Sequence, residues 1–223
     1  MSIASQITRL QDAKAEIKTA IENKGVTVPS DAKLDTYSDY IDDIETGGGG
    51  WQPHPDWIDI STVNNNEINL LVSDGGVGVA FAVTVASAGT YTIDWGDTTV
   101  DTNRASGTTY SHQYTIGSGT SVNNGQYTVF KIRIYSATGN ITRFQMKKNP
   151  NYNQTSYAPV LWAVFGTNNI TDYSYTFYTG GQVECRELQA VVIPSFQSCT
   201  STLYMFVNCY GLSSITLPTS WGS

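Results

Sequence analysis

Two aspartates flanking a glycine, with one histidine downstream, are the side chains in this sequence whose types and spacing could do chemistry. Asp94 and Asp97 bracket Gly96 in the run Ile93-Asp94-Trp95-Gly96-Asp97, and His112 follows in Tyr110-Ser111-His112-Gln113-Tyr114. Two carboxylates and an imidazole are a set from which an acid, a base and an orienting group could be drawn. The same carboxylates could begin a calcium site, but calcium takes six or more oxygens and fewer are in view. A third reading needs no ligand. Aspartates beside a glycine accept backbone N–H bonds and close a tight turn, with His112 as a structural hydrogen-bond partner across from them. Turn chemistry accounts for Asp94, Gly96, Asp97 and His112 together, so no catalytic residue, cofactor or metal is assigned.

The remaining reactive side chains are thinner material. Cys185, Cys199 and Cys209 are an odd number without C-x-x-C spacing, which argues against a zinc site or disulfide framework and for buried thiols. His54 lies between two prolines with no partner in view and reads as a surface residue. Trp51 and Trp57 belong to a Pro/Trp-rich strap expected to cover the end of the next domain, with ligand stacking as a second reading.

Composition narrows the function classes. Only 14% of the 223 residues are charged, and the net charge is −7. An acidic chain lacks the basic patches that displace counterions from nucleic acid. Lys147 and Lys148 are an isolated pair in a solvated loop. The sequence carries no run of 18 apolar residues and no apolar segment leading to a small-residue cleavage site, so neither membrane insertion nor general secretion is expected.

The elements that hold these residues begin with helices. Ile3, Ile7, Leu10, Lys14, Ile17 and Ile21 follow heptad spacing, interrupted by Lys14. A helix is expected from Ser5 to Asn23, stopping at Lys24-Gly25 with Gly25 as its C-cap. After an extended Val26–Pro29 connector, Ser30 is expected to cap a second helix carrying Leu34, Tyr37, Ile41 and Ile44. So short a seam needs partners, and isoleucine at both seam positions favours trimers or tetramers. A helical hairpin packing on its own β domain is the alternative. Asp42, Asp43 and Glu45 form an acidic cluster, and Gly47–Gly50 reads as a hinge.

Beyond the hinge, short alternating stretches predict strands at 68–72, 77–85, 90–95, 108–115, 127–135 and 141–146. Strands this frequent with no helical period between them predict an antiparallel β-sandwich. Residues 149–182 read as a transition containing the apolar run Val160–Phe165. Then Gln182–Pro194 aligns with Phe206–Pro218 at an offset of 24, with Val, Cys, Leu and Pro coinciding. A period in the low twenties predicts a stacked solenoid. The expected class is therefore mainly β, with an N-terminal helical hairpin or coiled-coil anchor (1–46), a Gly/Pro/Trp linker (47–60), a β-sandwich (61–148), and a transition with the first solenoid repeats (149–223). A solenoid needs about three repeats and a cap, so a longer parent protein is expected past Trp221-Gly222-Ser223.

Three resemblances add to this reading. The run from Ile17 to Val26, followed by Val28-Pro29 and a Leu/Tyr/Ile helix, resembles an N-terminal module of bacteriophage virion proteins. Ile93–Asp97, the H-x-Y of His112-Gln113-Tyr114 and the Y-x-V of Tyr127-Thr128-Val129 resemble, in order, the motifs of PKD-type immunoglobulin-like domains. Here Ile93 replaces a leading tryptophan and Ile116–Gly125 is inserted. The form F-x-N-C-x-x-L-x-x-I-x-L-P at 206–218 resembles the BspA-type leucine-rich repeat, which implies that Cys185 and Cys209 stack as ladder residues. Together these imply a structural virion protein of a bacteriophage: a head or tail fibre or appendage, assembled in the host cytoplasm and trimeric. It would be anchored to capsid, tail or baseplate and display β modules toward a host-surface glycan or protein. A bacterial surface adhesin, or a glycan-degrading enzyme whose catalytic part lies past residue 223, are the alternatives.

Overall fold

The chain divides between Gln52 and Pro53 into two units. The computed structural model describes residues 2–23, 26–42, 52–74, 78–123, 125–149, 156–166, 170–178 and 183–218. The protein is mainly β, with about twice as much strand as helix.

The first unit is helical. Helix α1 spans Ile3–Glu22, and the Ser2 hydroxyl caps it by accepting the Ser5 N–H at 3.2 Å. The connector through Pro29 is extended, and the Ala32 N–H then donates to the Pro29 carbonyl at 3.2 Å. This turn overrides the helix start expected at Ser30. The second helix enters through a 3₁₀ turn, Leu34–Thr36, behind Lys33, which offers no side-chain cap, and continues as α2, Tyr37–Asp42. The reason is packing: Val28 and Ala32, on either side of the turn, are buried with Ile21 and Tyr37 in the unit's small core. Gly25, Asp43, Ile44, Glu45 and the Gly47–Gly50 hinge lie outside the described residues.

In the second unit, β1 (Glu67–Ser73), β2 (Val79–Val85), β3 (Thr90–Asp94), β4 (Val100–Ala105), β5 (Thr109–His112), β6 (Thr120–Val122), β7 (Tyr127–Tyr135) and β8 (Ile141–Met146) come first. They are followed by β9 (Ser156–Tyr157), β10 (Val160–Phe165), β11 (Val183–Glu184), β12 (Ala190–Val192) and β13 (Ser214–Thr216). The larger sheet runs β13-β12-β10-β1-β7-β3-β4, with β6 also on β7; a second sheet runs β5-β2-β8, and β9 pairs with β11. Alternation decides the inner faces. Ile68, Leu70 and Val72 of β1 and Phe130, Ile132 and Ile134 of β7 meet Phe81, Val83 and Phe144 of the second sheet in one hydrophobic core. The outer face of β1 is covered too, and its Asn69 amide donates to the strap carbonyls of Ile60 and Thr62.

The large sheet runs without a break across the boundary expected at residue 148, because β1 pairs antiparallel with β10 as well as with β7. From β10 onward the pairing turns parallel. Trp162 faces Ala190, and Ala190 faces Ser214, the latter step being the 24-residue offset of the sequence repeat. On the opposite side, parallel bridges join Arg143 to Asp172 and Asp172 to Ser201, and the Thr200 N–H and hydroxyl both reach the Thr171 carbonyl 29 residues back. A file of aromatic contacts, Phe81–Phe144–Phe165–Phe177–Phe206, with neighbouring centroids 5.5 to 6.3 Å apart, carries the core from the paired sheets into this parallel region. Each such pair contributes about 0.5–1.5 kcal/mol beyond area burial.

Candidate functional site

The residues with chemistry in the sequence meet at the β3–β4 turn. Asp94 Oδ1 accepts the Gly96 N–H at 3.0 Å, and Asp97 Oδ1 accepts the Thr99 N–H at 3.1 Å. His112 Nε2 donates to Asp97 Oδ2 at 2.7 Å, while its ring stacks on Trp95 with centroids 4.9 Å apart. Trp95 in turn donates its indole N–H to Asp101 at 3.0 Å, and its carbonyl receives the Tyr114 hydroxyl at 2.8 Å. Burial pushes the Asp97 carboxyl up, but the His112 and Thr99 hydrogen bonds outweigh it and hold the group below the usual carboxylate range. Gly96 is required here. Its φ is +83°, and a Cβ would stand 2.4 Å from the Lys131 carbonyl oxygen. Both aspartates thus spend oxygens on backbone donors. Among the described residues, no group of three His, Cys, Asp or Glu side chains could hold a metal ion.

The heptad residues separate into two sets. Ile21 and Tyr37 are buried, Lys14 donates to the Ala32 carbonyl and lies 5.7 Å over the Tyr37 ring, and Lys18 donates to the Val28 carbonyl. These contacts commit the C-terminal half of α1 to the unit's own core. Ile3 (82% exposed), Ile7 (51%), Leu10 (63%) and Ile17 (40%) form a stripe turned to solvent, and Leu34 and Ile41 are exposed as well. No described helix is long and apolar enough to cross a membrane.

Cys185 is wholly buried, and Cys199 and Cys209 partly so, all as free thiols. Burial pushes Cys209 up to about 12, and burial, then the neighbouring Cys209, push Cys185 well above the ordinary thiol range. In the strap, Trp57 is buried and its indole N–H donates to the Tyr127 hydroxyl at 3.1 Å, while Trp51 lies outside the described residues. His54 accepts the Asp56 N–H at 3.2 Å and sits 3.7 Å from its carboxylate.

One cleft collects polar groups that sequence reading missed. Its volume is about 570 Å³, and it opens where β1 ends and β7, β10, β12 and β13 begin. Ser73, Asp74, Tyr127, Glu187, Gln189 and Ser213 line it, with Leu161 beside them. These residues lie far apart in the chain and join through strand pairing alone, so no local motif announces them.

No protein-family model, curated protein or solved structure matches the chain.

Proposed function

We propose that this chain is a structural protein of a bacteriophage virion, a fibre or appendage anchored through its N-terminal helices to a capsid or tail partner. Its β unit, read as a PKD-like sandwich continuing into leucine-rich-type coils, is displayed for attachment to a host surface. The observation that carries this is the exposed stripe Ile3, Ile7, Leu10 and Ile17 on a helix in a unit separate from the β structure. A solvent-facing seam of that kind is stabilised by burial against other helices, and isoleucine at both seam positions favours a trimer. The parallel ladder in the register of the sequence repeat supports the solenoid reading, with Cys185 and Leu188 as buried ladder residues.

Replacing Ile7 and Leu10 with Asp tests it; Ile21 is left alone because it belongs to the unit's own core. Sedimentation should show the oligomer lost while melting of the β unit is unchanged, and the variant should fail to join assembled particles. The same oligomer and the same incorporation into particles would overturn the proposal.

A further inference from the structure

We propose that the cleft at the strand ends is a binding site for a neutral saccharide. This deepens the display reading and rests on it for the biological setting.

The lining has the chemistry of a sugar site. A pyranose offers hydroxyls that each donate and accept, around C–H surfaces that pack on apolar groups. Sites for such ligands combine an apolar floor with a few fixed polar groups, in volumes of roughly 300–1,000 Å³. At about 570 Å³, this cleft falls inside that range. Leu161 is buried and supplies floor. The Tyr127 hydroxyl accepts from Trp57 Nε1 at 3.1 Å, which keeps its own proton to donate. Glu187 accepts the Ser73 hydroxyl at 3.4 Å and has further lone pairs for vicinal sugar hydroxyls. Asp74 is a fixed wall: its Oδ2 takes the Thr128 hydroxyl at 2.6 Å and the Gly117 N–H at 3.0 Å. Gln189 adds an amide, and Ser213 donates to the Gln189 carbonyl at 3.1 Å, leaving its oxygen to accept.

Other ligand classes fit less well. Among the described residues, the lining holds two carboxylates and no lysine or arginine, which disfavours phosphates, nucleotides and acidic sugars. A lipid tail would cover the Asp74 and Glu187 carboxylates without pairing them, a cost that a hydroxyl-bearing ligand avoids. An extended peptide would need an open strand edge, whereas at the floor of the cleft β10, β12 and β13 are bonded to one another, the Gln189 N–H to the Leu161 carbonyl and the Ser213 N–H to the Gln189 carbonyl.

The test is ¹H–¹⁵N NMR of the full chain, titrated separately with D-glucose, D-galactose, D-mannose, L-rhamnose and N-acetyl-D-glucosamine, and with trilysine as a cationic probe. At least one sugar should shift the amides of Ser73, Asp74, Gln189 and Ser213 in a saturable way. Glu187→Gln, an exposed position whose change leaves the fold intact, should weaken that binding about tenfold. Tyr127→Phe should weaken it as well. No shift with any sugar, shifts with trilysine alone, or full affinity in both variants would overturn the assignment. A cleft silent to sugars on a protein that still trimerises through α1 removes this inference alone. Sugar binding by a protein whose oligomer survives Ile7→Asp with Leu10→Asp removes the display reading alone.

Discussion

The imidazole of His112 lies nearly parallel to the indole of Trp95, the ring planes 17° apart, while its Nε2 holds the Asp97 carboxylate at 2.7 Å. One histidine therefore ties β5 to the turn after β3 by stacking and by a charged hydrogen bond. His112→Ala removes both and leaves a partly buried carboxylate with fewer donors, a loss of about 2 kcal/mol. For a unit of this size that lowers the melting temperature by roughly 4–8 °C. Calorimetry on the variant checks it, and an unchanged melting temperature would show that the turn holds without His112.

Several partly buried carboxylates respond to acid in the same sense. Glu67, Asp74, Asp97 and Asp101 are each pushed up by burial, but partners outweigh it and hold them below their ordinary values: Arg133 and Asn64 for Glu67, Thr128 and Gly117 for Asp74, His112 and Thr99 for Asp97, Trp95 and Arg104 for Asp101. A carboxylate lowered on folding stabilises the native state fully above its unfolded value, near pH 4, and loses that stabilisation as the pH falls through the folded value. The melting temperature should hold steady from pH 7 to about 5 and decline below about 4. A melting temperature that rises on acidification would contradict this.

How much of this was legible in the sequence follows from where each pattern gets its strength. Strands β7 and β8 have the bounds that alternation predicts, because Ile132, Ile134, Ile141 and Phe144 face one core. Strands β4 and β6 went unseen, since Val100–Ala105 and Thr120–Val122 are largely exposed and polar and carry no apolar period. The run Val160–Phe165 was visible as apolar, yet its place between β1 and β12 is a long-range pairing that no local signal encodes. The aspartate–glycine–histidine turn was readable because its chemistry is local and its spacing fixed. The cleft was not, because it joins residues as distant as Ser73 and Ser213.

The cysteines give a separate prediction. Burial pushes Cys209 up to about 12, so at pH 8 it stays a thiol, and the thiolate is the reactive form. Cys185, fully buried, is held further still from reaction. Iodoacetamide at pH 8 should leave both unmodified in the native protein and alkylate both within minutes in guanidinium, read by mass spectrometry. Native labelling of Cys185 as fast as in denaturant would refute its place in the core.

Lys14 is where the two uses of α1 compete. It occupies a heptad position, yet its ammonium is committed to the Ala32 carbonyl and the Tyr37 ring. A lysine at one core position of a coiled coil sets register and oligomer state while lowering stability. Lys14→Ile would extend the apolar stripe from Ile7 and Leu10 toward Ile17 and remove the tether to the connector. Association measured by sedimentation equilibrium should tighten, while amide hydrogen exchange around Ala32 and Tyr37 should quicken by a factor corresponding to about 1 kcal/mol. If exchange quickens without any gain in association, the stripe is not a self-association seam, and its occupant is a different protein. If neither changes, Lys14 serves neither purpose, and the division of α1 into a core-packing C-terminal half and an exposed N-terminal half would have to be redrawn.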